Sequence, residues 1–163
     1  MMRNKYKILF LLIIIGAILI SMNAVSSGWF GYDNGECDLF YIDCPEGFSN
    51  AGEIDHDDFV YISTDPSKTP YHSLNIYQNG TSSWSRMGGD EDFESTYNID
   101  DTFEEDNLTV YQINELEETF AFYSNEGYTY KLDLKHYGCS YDNAQFKQDI
   151  ELLKNVTNSI KHK

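Results

Sequence analysis

The stretch from Glu118 to Ile160 restricts the fold more than any other, because its local signals agree. Glu118-Thr-Phe-Ala-Phe-Tyr-Ser124 and Tyr128-Thr-Tyr-Lys-Leu-Asp-Leu134 are rich in aromatic and β-favouring residues. Asn125-Glu126-Gly127 lies between them, with a glycine able to take the positive φ of a hairpin turn. In the second run Tyr128, Tyr130, Leu132 and Leu134 share one face, and Thr129, Lys131, Asp133 and Lys135 share the other. A period of two with one apolar face predicts a strand lying on a core and wetted on its back.

After Gly138-Cys139-Ser140 the period changes. Phe146, Ile150, Leu153, Val156 or Thr157, and Ile160 fall at helical spacing. Asp142 followed by Gln145 reads as a capping pair, and Lys161 and Lys163 suit the negative end of the helix dipole. A helix from Asp142 to Ile160 would run roughly 30 Å, enough to cover one face of a small sheet. Earlier strands are expected at Leu39–Asp43, Asp57–Ser63, Ser73–Gln78 and Leu108–Ile113, with Thr81–Asp106 mostly loop around at most a short helix. The sum is an α+β domain: an antiparallel sheet of about six strands with a long C-terminal helix on one face.

The N-terminus reads differently. Three bases (Arg3, Lys5 and Lys7) precede an apolar run from Ile8 to Ile20, and small residues follow, including Ala24 and Ser26. Residues 1–26 are therefore a secretory signal cleaved after Ser26, or an uncleaved anchor, and both place the domain outside the cell. Ile8 to Val25 is 18 residues, short of the roughly 20 that span a bilayer. Residues 27–38 form a glycine-rich spacer, and 39–163 the domain. Export leads to an extracellular or cell-surface location.

Charge bears on partners. The 163 residues carry 27 acids against 11 bases, and all of 27–126 holds only Lys68 and Arg86 as bases. Such a surface repels phosphate backbones, so nucleic acid is excluded as a partner. The acidic runs raise calcium as the one cofactor to consider, with Asp90, Asp92, Asp100 and Asp101 as ligands. None of these runs matches the D-x-[DN]-x-[DN]-G-x5-E loop, and solvated loops are the plainer reading.

Cys37, Cys44 and Cys139 are disulfide candidates, one bridge plus one thiol or three thiols, with the pairing open. No C-x-x-C pair occurs and His56, His72, His136 and His162 look scattered, so no zinc site is expected. No G-x-S-x-G elbow or phosphate-cradling loop is present, and no catalytic residue is assigned. Asn79, Asn107 and Asn155 match the glycosylation sequon. Trp29, Phe30 and Trp84 lie in loop-like stretches, where exposed rings would stack on a glycan or fill a partner's pocket; core or lead-in packing is the plainer reading.

One pattern resembles a known family. Phe40-Tyr-Ile-Asp-Cys-Pro-Glu-Gly-Phe48, the aromatic hairpin from Phe120 to Leu134, and the closing helix ending Leu152-Leu-Lys-Asn-Val-Thr-Asn-Ser-Ile-Lys161 are similar to PsbP-like domains. Such domains occur in small exported or membrane-anchored proteins of archaea and bacteria. The resemblance implies an antiparallel sheet flanked by helices and no shared catalytic residues. The expected function is an exported, non-catalytic binding or accessory domain, with an unknown protein or glycan at the cell surface as partner and the membrane reached through residues 1–26. A calcium-binding surface protein is the alternative, and a small secreted hydrolase the third reading.

Overall fold

The hairpin and helix form where their periods place them, and the remaining elements assemble around both sides of the hairpin. A computed structural model describes residues 34–50 and 58–163. These belong to one compact unit, Tyr32–Lys163. The proposed signal, most of the spacer, and Trp29, Phe30 and His56 lie outside the described residues. Among the described residues no helix is long and apolar enough to cross a membrane.

The strands are β1 (Asn34–Glu36), β2 (Phe40–Asp43), β3 (Ser49–Asn50), β4 (Phe59–Ser63), β5 (Tyr71–Gln78), β6 (Asp101–Glu105), β7 (Leu108–Ile113), β8 (Glu118–Asn125), β9 (Tyr128–Tyr137) and β10 (Lys161–His162). Between β5 and β6 lie two short helices, α1 (Ser82–Arg86) and α2 (Phe93–Thr96), and α3 (Asn143–Ser159) follows β9. The fold is α+β. Its main sheet is antiparallel and has seven strands in the order β3-β4-β5-β9-β8-β7-β6.

That is one more than the expected six, because β3 and β6 join the sheet and β2 leaves it. Asp101–Glu105 is a strand at one edge of the sheet, exposed on four of its five residues, so no apolar alternation marks it. A charged edge also discourages pairing with another chain. Conversely β2, expected in the main sheet, pairs instead with β1 and β10 in a separate three-stranded sheet. Lys161 therefore serves as a strand residue opposite Tyr41 rather than as part of the helix end.

The β8–β9 turn places Glu126 at φ 53° and Gly127 at φ 88°, the paired positive values of a two-residue hairpin turn. Asp142 caps α3 by accepting from the amides of Ala144 (2.9 Å) and Gln145 (3.0 Å). The helix buries Phe146, Ile150, Leu153 and Val156 at helical spacing. With Phe40 and Ile42 of β2 they meet Ile62, Leu74, Leu132 and Leu134 in one core. Burying each Leu there contributes about 1.5–3 kcal/mol.

The other face departs from expectation. Lys131 and Asp133, predicted to be wetted, are 4% and 3% exposed. The stretch that looked like loop folds over them, and a second core forms from Phe93, Tyr111, Ile113 and Phe120. Lys131 Nζ donates to the Met87 carbonyl at 2.5 Å and lies over the rings of Phe93 and Phe120. The sheet is covered on both sides, and its central strand β9 faces two cores.

Candidate metal centre

Register brings the site together. β5 and β9 pair so that His72 stands directly opposite His136, and both side chains lie on the α3 face with Leu74 and Leu134. Their rings meet edge-on with the two Nδ1 atoms 2.9 Å apart. At the end of β9 the chain turns through Gly138, at φ 74°, and presents Cys139. A Cβ on Gly138 would come within 2.6 Å of Thr69 Cγ2, so the turn requires glycine twice over. The ligand atoms of His72, His136 and Cys139 all lie within 4.8 Å of one another. Among the described residues no other group of three or more His, Cys, Asp or Glu converges in this way.

Helix α3 supplies the orienting group. Asp149, 2% exposed, sits in the buried stripe of the helix, with Oδ2 2.9 Å from His136 Nε2. Thr119 Oγ1 of β8 donates to the same oxygen at 2.5 Å, and Gln145, one turn earlier on α3, donates to Oδ1 at 2.9 Å. Gln145 thus serves the carboxylate instead of capping the helix. Tyr141 stacks on His136, lies 2.6 Å from Thr119 Oγ1 and donates to the Glu118 carbonyl. With its Nε2–H given to Asp149, His136 presents a bare Nδ1, and the proton between the two imidazoles belongs to His72. A carboxylate behind an imidazole fixes both tautomer and orientation for a metal ligand.

Protonation favours coordination at His72 and opposes it at Cys139. Burial, then the neighbouring His136, hold His72 below the usual imidazole range, against the pull of Asp149. The ring is neutral, and coordination through Nδ1 moves its proton to Nε2. Burial first, then Asp149 and Glu117, push the Cys139 thiol up, so the thiol keeps its proton until a cation displaces it. Around a tetrahedral zinc, bonds of roughly 2.0–2.3 Å put neighbouring ligand atoms roughly 3.3–3.7 Å apart. The two Nδ1 atoms, 2.9 Å apart, would part slightly to admit the ion.

The sequence reading did not assemble this site. The three donors come from two strands and a turn, and only the pairing of β5 with β9 unites them. One signal was present: His136-Tyr-Gly-Cys139 is an H-x-x-C spacing with a glycine at the bend. It corrects the view that the histidines and cysteines lack ligand spacing.

The residues singled out from the sequence lie elsewhere, apart from Cys139. Asp90, Asp92, Asp100 and Asp101 are exposed. Asp90 accepts from Trp84 Nε1 and Ser85 Oγ, both at 2.7 Å. Asp92 is the N-cap residue of α2, Asp100 accepts from the Asn114 amide, and Asp101 from the Thr102 amide. No disulfide joins the cysteines. Cys37 is buried, with Sγ donating to the Phe40 carbonyl, and Cys44 packs beside the main core. Asn79, Asn107 and Asn155 are all exposed, although Thr157 of the third sequon is buried and bonded to the Leu153 carbonyl. Trp84 takes the packing alternative: it is 6% exposed, with Gly89 lying so flat on the indole that a Cβ would meet ring atoms at 2.3 Å. Its ring stands edge-on to Phe122, which packs against the second core, with centroids 6.5 Å apart.

Compared with known proteins, the chain matches no family model, no curated protein and no solved structure. The resemblance to PsbP-like domains rests on the sequence motifs alone.

Proposed function

We propose that the chain is an exported, non-catalytic accessory domain of PsbP-like type whose ligand is a transition-metal cation of the zinc class. His72 and His136 bind it through Nδ1 and Cys139 through its thiolate. Asp149 is the positioning residue, acting through His136. The observation that carries the reading is the convergence of three nitrogen and sulfur donors across the β5–β9 pair, with a buried carboxylate behind one of them. Imidazole and thiolate suit zinc and its neighbours, whereas calcium takes oxygen ligands. Export rests on the charged and apolar pattern of residues 1–26, and the absence of an enzymatic role on the lack of any catalytic motif in the sequence.

Melting of the chelator-stripped full chain tests this. Zinc at a hundredfold excess over its dissociation constant is expected to stabilise the fold by about 2.7 kcal/mol. Titration should give one ion per chain, and Cys139→Ser should weaken binding at least about tenfold while leaving the far-UV spectrum unchanged. Calcium is the discriminating arm. A melting shift with calcium and none with zinc would overturn the proposal in favour of the acidic stretch.

A further inference from the structure

We infer that the ion this centre is built for is copper, held in both the +1 and +2 states, so that the domain carries one electron. The inference rests on the site proposed above and goes on to name its occupant and activity.

Donor number is the first argument. Only three side-chain donors converge among the described residues, two imidazole nitrogens and one sulfur. Asp149 does not make a fourth, because Oδ2 already accepts from His136 and Thr119 and Oδ1 from Gln145. Closed structural zinc sites use four protein ligands in a tetrahedron. Two histidines and one cysteine in a trigonal set are the donors of copper electron-transfer centres, where any further ligand is weak and distant. For a given nitrogen and sulfur site, copper also stands above zinc in intrinsic affinity.

The surroundings provide the second argument. The His136 side chain is 1% exposed and that of Asp149 3%, with the Tyr141 ring stacked against the imidazole. A poorly solvated site favours low net charge. With the Asp149 carboxylate behind His136 and one thiolate, the site is neutral with Cu(II) and carries one negative charge with Cu(I). Both states are therefore accommodated by the same three ligands.

Rigidity is the third. His72 and His136 are fixed by a continuous ladder, Cys139 by the Gly138 turn against Thr69, and the His136 ring by α3. A ligand set that scarcely moves suits electron transfer, in which no bond is made or broken. An electron from a one-electron reductant such as ascorbate converts Cu(II) to Cu(I), the reductant is oxidised, and the two Cu–N bonds and the Cu–S bond persist. Ferricyanide takes the electron back.

Copper titration into the reduced, chelator-stripped full chain, without oxygen, tests the inference. An intense visible thiolate-to-copper charge-transfer band should grow to one ion per chain, bleach with ascorbate and return with ferricyanide. Cys139→Ser should abolish the band, and Asp149→Asn should weaken Cu(I) binding by about 10–100-fold in competition with bicinchoninate. Equimolar copper should displace bound zinc. If zinc binds at one per chain and copper gives neither band nor displacement, the copper inference fails and the zinc-class reading stands. Thiol oxidation in place of the band also overturns it. Failure of both ions to bind removes both readings.

Discussion

Two buried aspartates, one on each face of the main sheet, are treated very differently by their surroundings. On the α3 side both oxygens of Asp149 are occupied, by donors from β8, β9 and α3 itself. On the α1–α2 side Asp133 reaches only the Lys135 ammonium, at 3.5 Å, and its Oδ1 has no hydrogen-bond partner among the described residues. Lys135 is shared in turn with Glu118 at 2.9 Å. Burial pushes the Asp133 carboxyl up to about 6, although Lys135 pulls it down. A fully bonded carboxylate marks a place where several elements have been arranged around it. A half-bonded one marks a buried charge that its neighbours satisfy only in part.

Truncating the first carboxylate should produce the largest effect. Asp149→Ala leaves the donors of His136, Thr119 and Gln145 without an acceptor in a dry site, and unfolding in urea should show a loss of about 3–5 kcal/mol. A loss below about 1 kcal/mol would mean that the network is ornamental.

Asp133 should respond with the opposite sign. Its folded carboxyl holds a proton more tightly than in the unfolded chain, so its contribution is fully present below about pH 4 and fades as pH rises through 6. Asp133→Asn removes that decline. Relative to the native chain, the variant should gain about 2–3 kcal/mol of stability between pH 4 and pH 8. Parallel stability curves for the two would show that Asp133 is better compensated than its contacts indicate.

A smaller effect sharpens the contrast without touching either carboxylate. Gly138→Ala places a Cβ at positive φ and against Thr69, costing about 1–2 kcal/mol. It should also weaken zinc binding through displacement of Cys139, measurable by competition with a chromophoric chelator. Equal stability and affinity would show that the turn adapts freely.

The two aspartates also explain what was legible in the sequence. The β8–β9 hairpin and α3 announced themselves because each repeats one period against one core. Lys131 and Asp133 obeyed that same alternation and still misled, since period two tells which residues share a face and nothing about what covers it. Their cover, α1 and α2, consists of two helices of five and four residues with little periodicity to read. Asp149 sat at a core position of α3 and passed as one more acid in an acidic chain. His72 and His136 lie 64 residues apart and become neighbours only through the register of β5 on β9. Only Cys139, three residues beyond His136, stood within reach of a local pattern.

The claim at the centre of this account is that those two histidines and that cysteine hold one ion together. X-ray absorption at the metal edge of the zinc-loaded full chain tests it most directly. The account predicts a first shell containing two imidazole nitrogens and one sulfur, with the sulfur lost in Cys139→Ser. A shell of oxygen atoms alone would contradict it and would place the ion among the exposed carboxylates instead.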